Sequence, residues 1–195
     1  MKSVFPTLVE QKRIPFPARS LKTLEQTIRA LPRVDEAGVR WCRKNYPGGY
    51  TSYGSMSDLH RQFSIFDELK RHLDREASAY AKKIGISFPK GELRLSSLWA
   101  NLMPSDCYHA FHLHPNSIVS GTFYVSVPKG ASPLRLEDPR SGLFMACPPR
   151  PMQIDLKPKA GEIILFESWM KHEVPPNRSP VERISVSFNY DWIRD

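Results

Sequence analysis

The hydrophobic pattern of this chain changes at about residue 91, and that change constrains its fold more than any other feature. Before this point apolar residues recur at the spacing of an amphipathic helix, as Leu69, Leu73, Ala77 and Tyr80 do. After it, apolar and polar residues alternate, which is typical of strands with one buried face. Helices followed by many short strands indicate an α+β protein with a jelly-roll core in its C-terminal half.

The helices of the N-terminal half are predicted to pack on the outside of this core. They are expected over 20–31, with Ser20 as cap and Pro32 as stop, over 35–46, and over 64–85, where Gly85 suits the C-terminal end. Residues 1–19 are expected to form an extended lead-in or an edge strand. Strands are predicted over 93–103, 118–127, 133–137, 152–156, 162–167 and 181–192.

Length and composition indicate a single domain, 1–195, with a mainly helical layer over 1–90 and the core over 91–195. Of the 195 residues, 41% are hydrophobic and 11% aromatic, which is typical of a globular protein. No apolar run approaches the roughly 20 residues that span a bilayer, and the first residues lack the apolar stretch of a secretory signal. Three cysteines at no metal-like spacing favour reduced thiols, so we expect a cytoplasmic protein.

The excess positive charge lies in the helical half of the chain. Residues 1–90 hold 17 Lys and Arg against 9 Asp and Glu, whereas residues 91–195 hold 11 of each, and the net charge is +8. The basic residues are dispersed along amphipathic helices, as on a solvated surface. Guidance of an anionic substrate or nucleic acid is the alternative interpretation. The substrate is unidentified, and we expect a small molecule rather than a protein or a nucleic acid.

Three histidines are candidate metal ligands. His112 and His114 flank a single leucine, and on extended backbone their side chains would point to one face. His172 follows a second predicted strand and can supply the third ligand. The remaining histidines are assigned no role, because a single histidine is more often a surface or core residue than a ligand: His60, His72 and His109.

An arginine opens the last predicted strand. Arg183, Ser185 and Ser187 alternate with apolar residues, so that one face of this strand carries a guanidinium and two hydroxyls. A guanidinium can hold a carboxylate through two parallel hydrogen bonds. The alternation therefore predicts a carboxylate pocket on this strand.

The order of these residues resembles that of the Fe(II)/2-oxoglutarate dioxygenases. In that family His-x-Asp or its equivalent, a strand, a distal His and Arg-x-Ser follow one another. The resemblance runs from about Gly49 to Trp192 and is dense from Trp99 onward. It is strongest to a bacterial group of 2-oxoglutarate-Fe(II) oxygenases of unassigned substrate, on the strings TSYGSMSDL, LWANLM, HLHPNSIVSGTFYV, LEDPR, FESWMKHEV and RISVSFNY.

The resemblance implies a double-stranded β-helix and an oxidoreductase with Fe(II) bound by His112, His114 and His172. It also implies that 2-oxoglutarate chelates the iron and that dioxygen is the oxidant. The product would be succinate with a hydroxylated or demethylated substrate, whose identity the sequence does not indicate.

The resemblance extends to residues that would bind the cosubstrate. Arg183, helped by Ser185, would hold the distal carboxylate of 2-oxoglutarate. Asn101 resembles an asparagine that contacts 2-oxoglutarate in the branch that repairs alkylated nucleic acids. Tyr124 resembles the tyrosine that enzymes of the prolyl-hydroxylase type direct at the cosubstrate.

One residue departs from the wider family. His114 stands where Asp or Glu is usual, which makes the metal site one charge more positive. His114 is either the third ligand or a neighbour that leaves a position for water. A cupin-like three-histidine metalloenzyme that does not use 2-oxoglutarate is one alternative, although the glutamate that cupins place shortly after His-x-His is replaced here by Asn116-Ser117-Ile118. A non-catalytic barrel that binds a ligand is another.

Overall fold

The computed structural model describes residues 1–87 and 90–194, and its helices form a layer on one side of a β core. The helices are α1 (Ala18–Val34), α2 (Glu36–Asn45), α3 (Leu59–Gln62) and α4 (Ser64–Lys83). The longest of them, α4, buries residues three or four apart, as its periodicity requires. Within the described residues, no helix is both long and apolar enough to cross a membrane.

The strands form two sheets whose neighbouring strands run antiparallel. The strands are β1 (Glu10–Arg13), β2 (Tyr50–Thr51), β3 (Gly91–Met103), β4 (His109–His112), β5 (Val119–Ser126), β6 (Leu134–Glu137), β7 (Gln153–Leu156), β8 (Glu162–Glu167), β9 (His172–Val174) and β10 (Arg183–Arg194). In the described part of the chain the larger sheet has the order β1-β8-β5-β10-β3-β2, and the smaller sheet has the order β4-β9-β6-β7. This architecture confirms the predicted α+β class with a double-stranded β-helix.

The two faces of the larger sheet have different partners. Helix α1 packs on β3 and β5, and α4 packs on β3. Val186 of β10 lies opposite Phe123 of β5, both are fully buried, and the Phe123 ring contacts Phe16 at 5.4 Å between centroids. Since side chains alternate along a strand, Ser185 and Ser187 turn to the opposite face, where the larger sheet meets the smaller one.

Most of the predicted element positions are confirmed, but both ends of the first helix are wrong. Each of the six predicted strands is present, with ends shifted by no more than two residues, and residues 10–13 form an edge strand. Helix α1 begins before Ser20 and continues through Pro32. The Ser20 hydroxyl donates instead to Glu68 of α4, at 2.7 Å. Pro32 lies in the last turn of α1, and because it has no N–H the helix lacks one hydrogen bond there.

Gly121, in β5, leaves no room for a side chain in the larger sheet. An added Cβ would lie 2.5 Å from Cζ of Phe188 and 2.7 Å from the carbonyl oxygen of Ile164. Because that oxygen belongs to the backbone of β8, Gly121→Ala should lower the free energy of unfolding by about 1–3 kcal/mol, the usual cost of overpacking. Urea unfolding measures this, and Gly142→Ala is the control, since a Cβ there meets nothing within 4 Å. Equal effects of the two substitutions would contradict the packing described here.

Candidate metal centre

Three histidines meet where the smaller sheet faces the larger one. His112, the last residue of β4, lies opposite His172, the first residue of β9. His114 follows β4, and its N–H donates to the carbonyl oxygen of Ser168 at 3.0 Å. One ring nitrogen from each histidine lies within 4.8 Å of the other two. A cluster of this kind is compatible with three ligands to one ion.

Two of the histidines are held in one tautomer by main-chain carbonyls. Nδ1 of His112 lies 2.7 Å from the oxygen of Ala110, and Nδ1 of His172 lies 2.8 Å from the oxygen of Met170. A carbonyl oxygen only accepts hydrogen bonds, so each Nδ1 carries the proton. Each Nε2 therefore keeps the lone pair that a metal ion requires.

The third histidine reaches the same tautomer through side chains. Nδ1 of His114 lies 2.7 Å from Oδ1 of Asn189 and 2.8 Å from Oγ of Ser120. The Ser120 hydroxyl donates to the same Asn189 oxygen at 2.8 Å, and Oγ of Ser168 lies 2.7 Å from Oγ of Ser120. Since Asn189 Oδ1 only accepts, Nδ1 of His114 donates and its Nε2 is free. Outer hydrogen bonds of this kind orient imidazoles that bind metals.

Burial keeps these imidazoles neutral. Desolvation lowers the pKa of His172 to about 3, and desolvation together with the neighbouring His112 lowers the pKa of His114 to about 4. Only a neutral imidazole can bind a metal ion. At neutral pH both side chains are therefore already in the form that a metal ion requires, and the donor set fits Fe(II).

A buried arginine lies in the same cavity. Arg183, the first residue of β10, is 2% exposed, its Nη1 donates to Oγ of Ser185 at 3.5 Å, and its guanidinium lies 5.0 Å from the centre of the Tyr124 ring. Neither Nε of Arg183 nor the hydroxyl of Tyr124 has a hydrogen-bond partner among residues 1–87 and 90–194. Buried polar atoms without partners are costly, so these groups fit an anionic ligand such as the carboxylate of 2-oxoglutarate.

The pairing of β10 with β3 and β5 brings two more of the predicted residues next to Ser185. Ser185 lies opposite Asn101 of β3 on one side and opposite Tyr124 of β5 on the other. The Asn101 amide is already engaged, because Nδ2 donates to Ser187 Oγ at 3.1 Å and Oδ1 accepts from Thr51 Oγ1 at 2.8 Å. Asn101 therefore lines the cavity with one amide hydrogen still available. Tyr124, which is fully buried, lies against Arg183.

Sequence reasoning missed several residues around this cavity. Tyr46, the residue after α2, lines it with a hydroxyl that has no partner in the described part of the chain, and its ring stacks on His109 at 4.4 Å between centroids. The helical pattern that precedes Tyr46 gives no sign of this position. Asn189 could have been found, since it continues the polar alternation of Arg183, Ser185 and Ser187.

One cavity of about 380 Å³ is bordered by most of these side chains: Tyr46, Asn101, His112, His114, His172, Arg183, Ser185 and Asn189. Tyr124 contacts Arg183 but is not among the described residues that line the cavity. Helix α2 and the segment after β2 contribute one part of its wall, and strands of both sheets contribute the rest. Cavities of this size bind small molecules in proteins.

The sequence of the core matches a described family. Residues 97–189 match the family described as "Putative 2OG-Fe(II) oxygenase". This stretch contains every site residue that the sequence predicts: Asn101, His112, His114, Tyr124, His172, Arg183 and Ser185. No curated protein matches the chain by sequence.

Solved structures with the same fold include three that cover most of this chain. A Pseudomonas putida prolyl-4-hydroxylase has a TM-score of 0.64 at 17% identity, over 97% of this chain and 94% of that one. The α-ketoglutarate-dependent epimerase SnoN of nogalamycin biosynthesis has 0.70 at 17% identity, over 95% and 76%. HygX from Streptomyces hygroscopicus, with nickel, 2-oxoglutarate and hygromycin B bound, has 0.66 at 12% identity, over 95% and 83%. At these identities the likeness shows the fold.

Proposed function

We infer that His112, His114 and His172 bind Fe(II) and that Arg183 binds 2-oxoglutarate in this chain, which belongs through residues 97–189 to the Fe(II)/2-oxoglutarate oxygenase superfamily. The chain is an oxidoreductase of this superfamily. One observation carries the assignment of residues. Three imidazoles with free Nε2 atoms share a cavity with a buried guanidinium whose Nε has no partner among the described residues.

The three histidines act as neutral donors. Each Nδ1–H donates to an oxygen atom of the protein. These hydrogen bonds orient the three rings, so the directions of the Nε2 lone pairs do not depend on the metal alone. We propose that His114 is the third ligand, because its ring is held by Asn189 and Ser120 as firmly as the other two are held by main-chain carbonyls. Three neutral ligands leave the full +2 charge of Fe(II) on the site.

Arg183 binds and orients the cosubstrate. Its guanidinium offers Nε and terminal N–H groups to the distal carboxylate of 2-oxoglutarate, and the hydroxyls of Ser185 and Tyr124 can donate to the same carboxylate. The guanidinium has no carboxylate partner in residues 1–87 and 90–194, and a bound dianion would supply one. Asn101, fixed by Thr51 and Ser187, forms the neighbouring wall.

Iron and 2-oxoglutarate, when bound, supply an oxidation by dioxygen in which 2-oxoglutarate is decarboxylated to succinate and the substrate is hydroxylated or demethylated. The protein positions the substrate and keeps bulk water from the reacting atoms.

The substrate is proposed to be a small molecule, in agreement with the cavity volume of about 380 Å³. The structures of HygX with hygromycin B bound and of SnoN in complex with nogalamycin RO support the proposal of a small-molecule substrate. The single-domain organisation and the cytoplasmic location stay predictions of the sequence.

Oxidation of 2-oxoglutarate in the absence of substrate tests this function. Protein loaded with Fe(II) and given 2-oxoglutarate, dioxygen and ascorbate should form one succinate and one CO2 for each 2-oxoglutarate consumed. Ascorbate supplies the two electrons that the absent substrate would give, and the second oxygen atom leaves as water, so the test does not require the substrate to be known. Removal of iron by a chelator should stop succinate formation, and added Fe(II) should restore it. A protein that holds iron but neither binds nor consumes 2-oxoglutarate would move the assignment to the cupin-like alternative.

A further inference from the structure

A row of aromatic rings leads from the protein surface to the candidate metal centre. The rings of Trp41 and Tyr53 have centroids 6.4 Å apart, those of Tyr53 and Trp99 are 5.0 Å apart, and those of Trp99 and His114 are 6.0 Å apart. Each neighbouring pair meets edge to face, and each ring lines the cavity. Tyr53 is 53% exposed and Trp99 is 7% exposed, so the row begins at solvent and ends beside His114. We call Trp41, Tyr53 and Trp99 the aromatic wall.

A buried carboxylate fixes the segment that carries Tyr53. Asp35, which caps α2, is 5% exposed and accepts from the N–H of Gly38 at 2.8 Å. Its other oxygen accepts from the hydroxyl of Tyr50 at 2.7 Å and from that of Ser55 at 2.5 Å. These bonds join the start of α2 to both ends of residues 50–55. The segment that carries Tyr53 is therefore fixed on both sides by hydrogen bonds within the protein.

Trp41 is fixed by close contact with the same segment. An added Cβ on Gly54 would lie 2.6 Å from the Trp41 indole, which means that the Gly54 backbone packs directly on that ring. A residue with a side chain would displace the indole from this position. The wall is thus assembled from α2, the segment after β2, and β3, and its rings are preorganised.

The cavity has no negative charge with which to bind a cation. None of the described residues that line it is acidic, and Arg183 lies within it. On the proposed function, three neutral imidazoles leave the +2 charge of Fe(II) unreduced, so a bound 2-oxoglutarate dianion offsets the iron and the positive charge of Arg183 remains. A cationic substrate would be repelled at short range in this poorly solvated space. The attraction of aromatic rings for cations is opposed here by the surrounding charge.

We propose, building on the proposed function, that the substrate is a small molecule with a planar apolar ring and no positive charge, and that the aromatic wall binds this ring next to the metal centre. Flat rings match the offset and edge-to-face contacts that the wall already makes within itself. Trp99, between Tyr53 and His114, places the ring closest to the oxidation site.

Binding of three matched probes tests this proposal. The Fe(II)- and 2-oxoglutarate-loaded protein, kept anaerobic, is titrated by calorimetry with neutral 2-naphthol, with saturated decahydro-2-naphthol and with cationic trimethyl(2-naphthyl)ammonium. We expect 2-naphthol to bind about tenfold more tightly than either of the others. Equal or tighter binding of the cation would overturn the charge argument, and equal binding of decahydro-2-naphthol would overturn the requirement for a planar ring.

Single substitutions test whether 2-naphthol binds at the aromatic wall. Tyr53→Leu keeps an apolar side chain but removes the ring, and it should weaken 2-naphthol binding by about 2- to 10-fold with little effect on the saturated probe. Tyr53→Phe should bind 2-naphthol like wild type. Tyr108→Leu is the matched control, because Tyr108 is 57% exposed and is not among the described residues of the cavity wall. Unchanged binding in both Tyr53→Leu and Trp41→Leu would overturn the proposal.

The same titrations separate this proposal from the proposed function. A protein that binds Fe(II) and 2-oxoglutarate but shows no preference for 2-naphthol would contradict the aromatic wall alone. A protein that binds 2-naphthol through Tyr53 while taking up neither iron nor 2-oxoglutarate would support the wall and contradict the proposed function.

Discussion

His172→Ala protein, exposed to Fe(II) without oxygen and then desalted, is expected to retain almost no iron, whereas wild type should retain about one ion per chain. His172 is 4% exposed and its ring is fixed by the Met170 carbonyl, so another side chain cannot readily take its place. Loss of a ligand should weaken binding more than the roughly 10–100-fold that loss of an outer hydrogen bond costs. His112→Ala should behave in the same way. Iron content by elemental analysis measures both.

The control for this experiment is His72→Ala, in α4, which removes a histidine outside the cluster. Its iron content should equal that of wild type. If His112→Ala and His172→Ala also retain wild-type iron, the ligands are wrongly assigned. Circular dichroism of each variant establishes that the loss of iron is not a loss of fold.

An Fe(II) titration of His114 variants, kept anaerobic, decides the role of His114. As the third ligand, His114→Ala should lose iron, while His114→Asp should keep it, because the carboxylate restores the commoner set of ligands. If His114 only neighbours a bound water, His114→Ala should bind iron almost as well as wild type. Asn189→Ala should weaken iron binding by roughly 10–100-fold through His114 alone. Asn45→Ala, which alters an amide on the same cavity wall, is its control.

The predictable part of this site is the part that lies on long strands. Arg183 and Ser185 belong to a strand of 12 residues, β10, whose alternation is long enough to assign each side chain to a face. The register of β10 with β3 and β5 then brings Asn101 and Tyr124 opposite Ser185. The faces on which these side chains lie follow from the two-residue period of a β-strand.

The remaining parts depend on contacts between distant segments. Strands β4 and β9 have four and three residues, too few for a pattern, although they hold His112 opposite His172. His114 lies beyond β4, and its orientation depends on Ser168, which is 54 positions later in the chain. The carboxylate of Asp35 positions Tyr53 through Ser55 and Tyr50, which no local propensity encodes. The wall of the cavity formed by the helical half therefore became visible only in three dimensions.

Arg183→Met is expected to have opposite effects on the free and the ligand-bound protein. In the free protein Arg183 is 2% exposed, and within the described residues it has neither an ion-pair partner nor an acceptor for Nε. Since a buried charge without a partner is costly, an apolar side chain of similar length should raise the melting temperature of the metal-loaded protein without 2-oxoglutarate. A guanidinium that served only the structure would give the reverse, a lower melting temperature.

With 2-oxoglutarate at about 100 times its Kd, wild type should gain about 2.7 kcal/mol, which for a protein of this size raises its melting temperature by about 5–10 °C. Arg183→Met should lose this shift while its iron content stays that of wild type, because Arg183 is not among the proposed ligands.

Arg183→Lys should recover part of the shift, since an ammonium supplies the charge but not the two parallel hydrogen bonds. Ser185→Ala, which removes one hydroxyl beside the guanidinium, should keep most of it. A full shift in Arg183→Met would mean that the distal carboxylate binds elsewhere. The combination of a more stable free protein, unchanged iron and a lost 2-oxoglutarate shift is the result that only a cosubstrate-binding Arg183 produces.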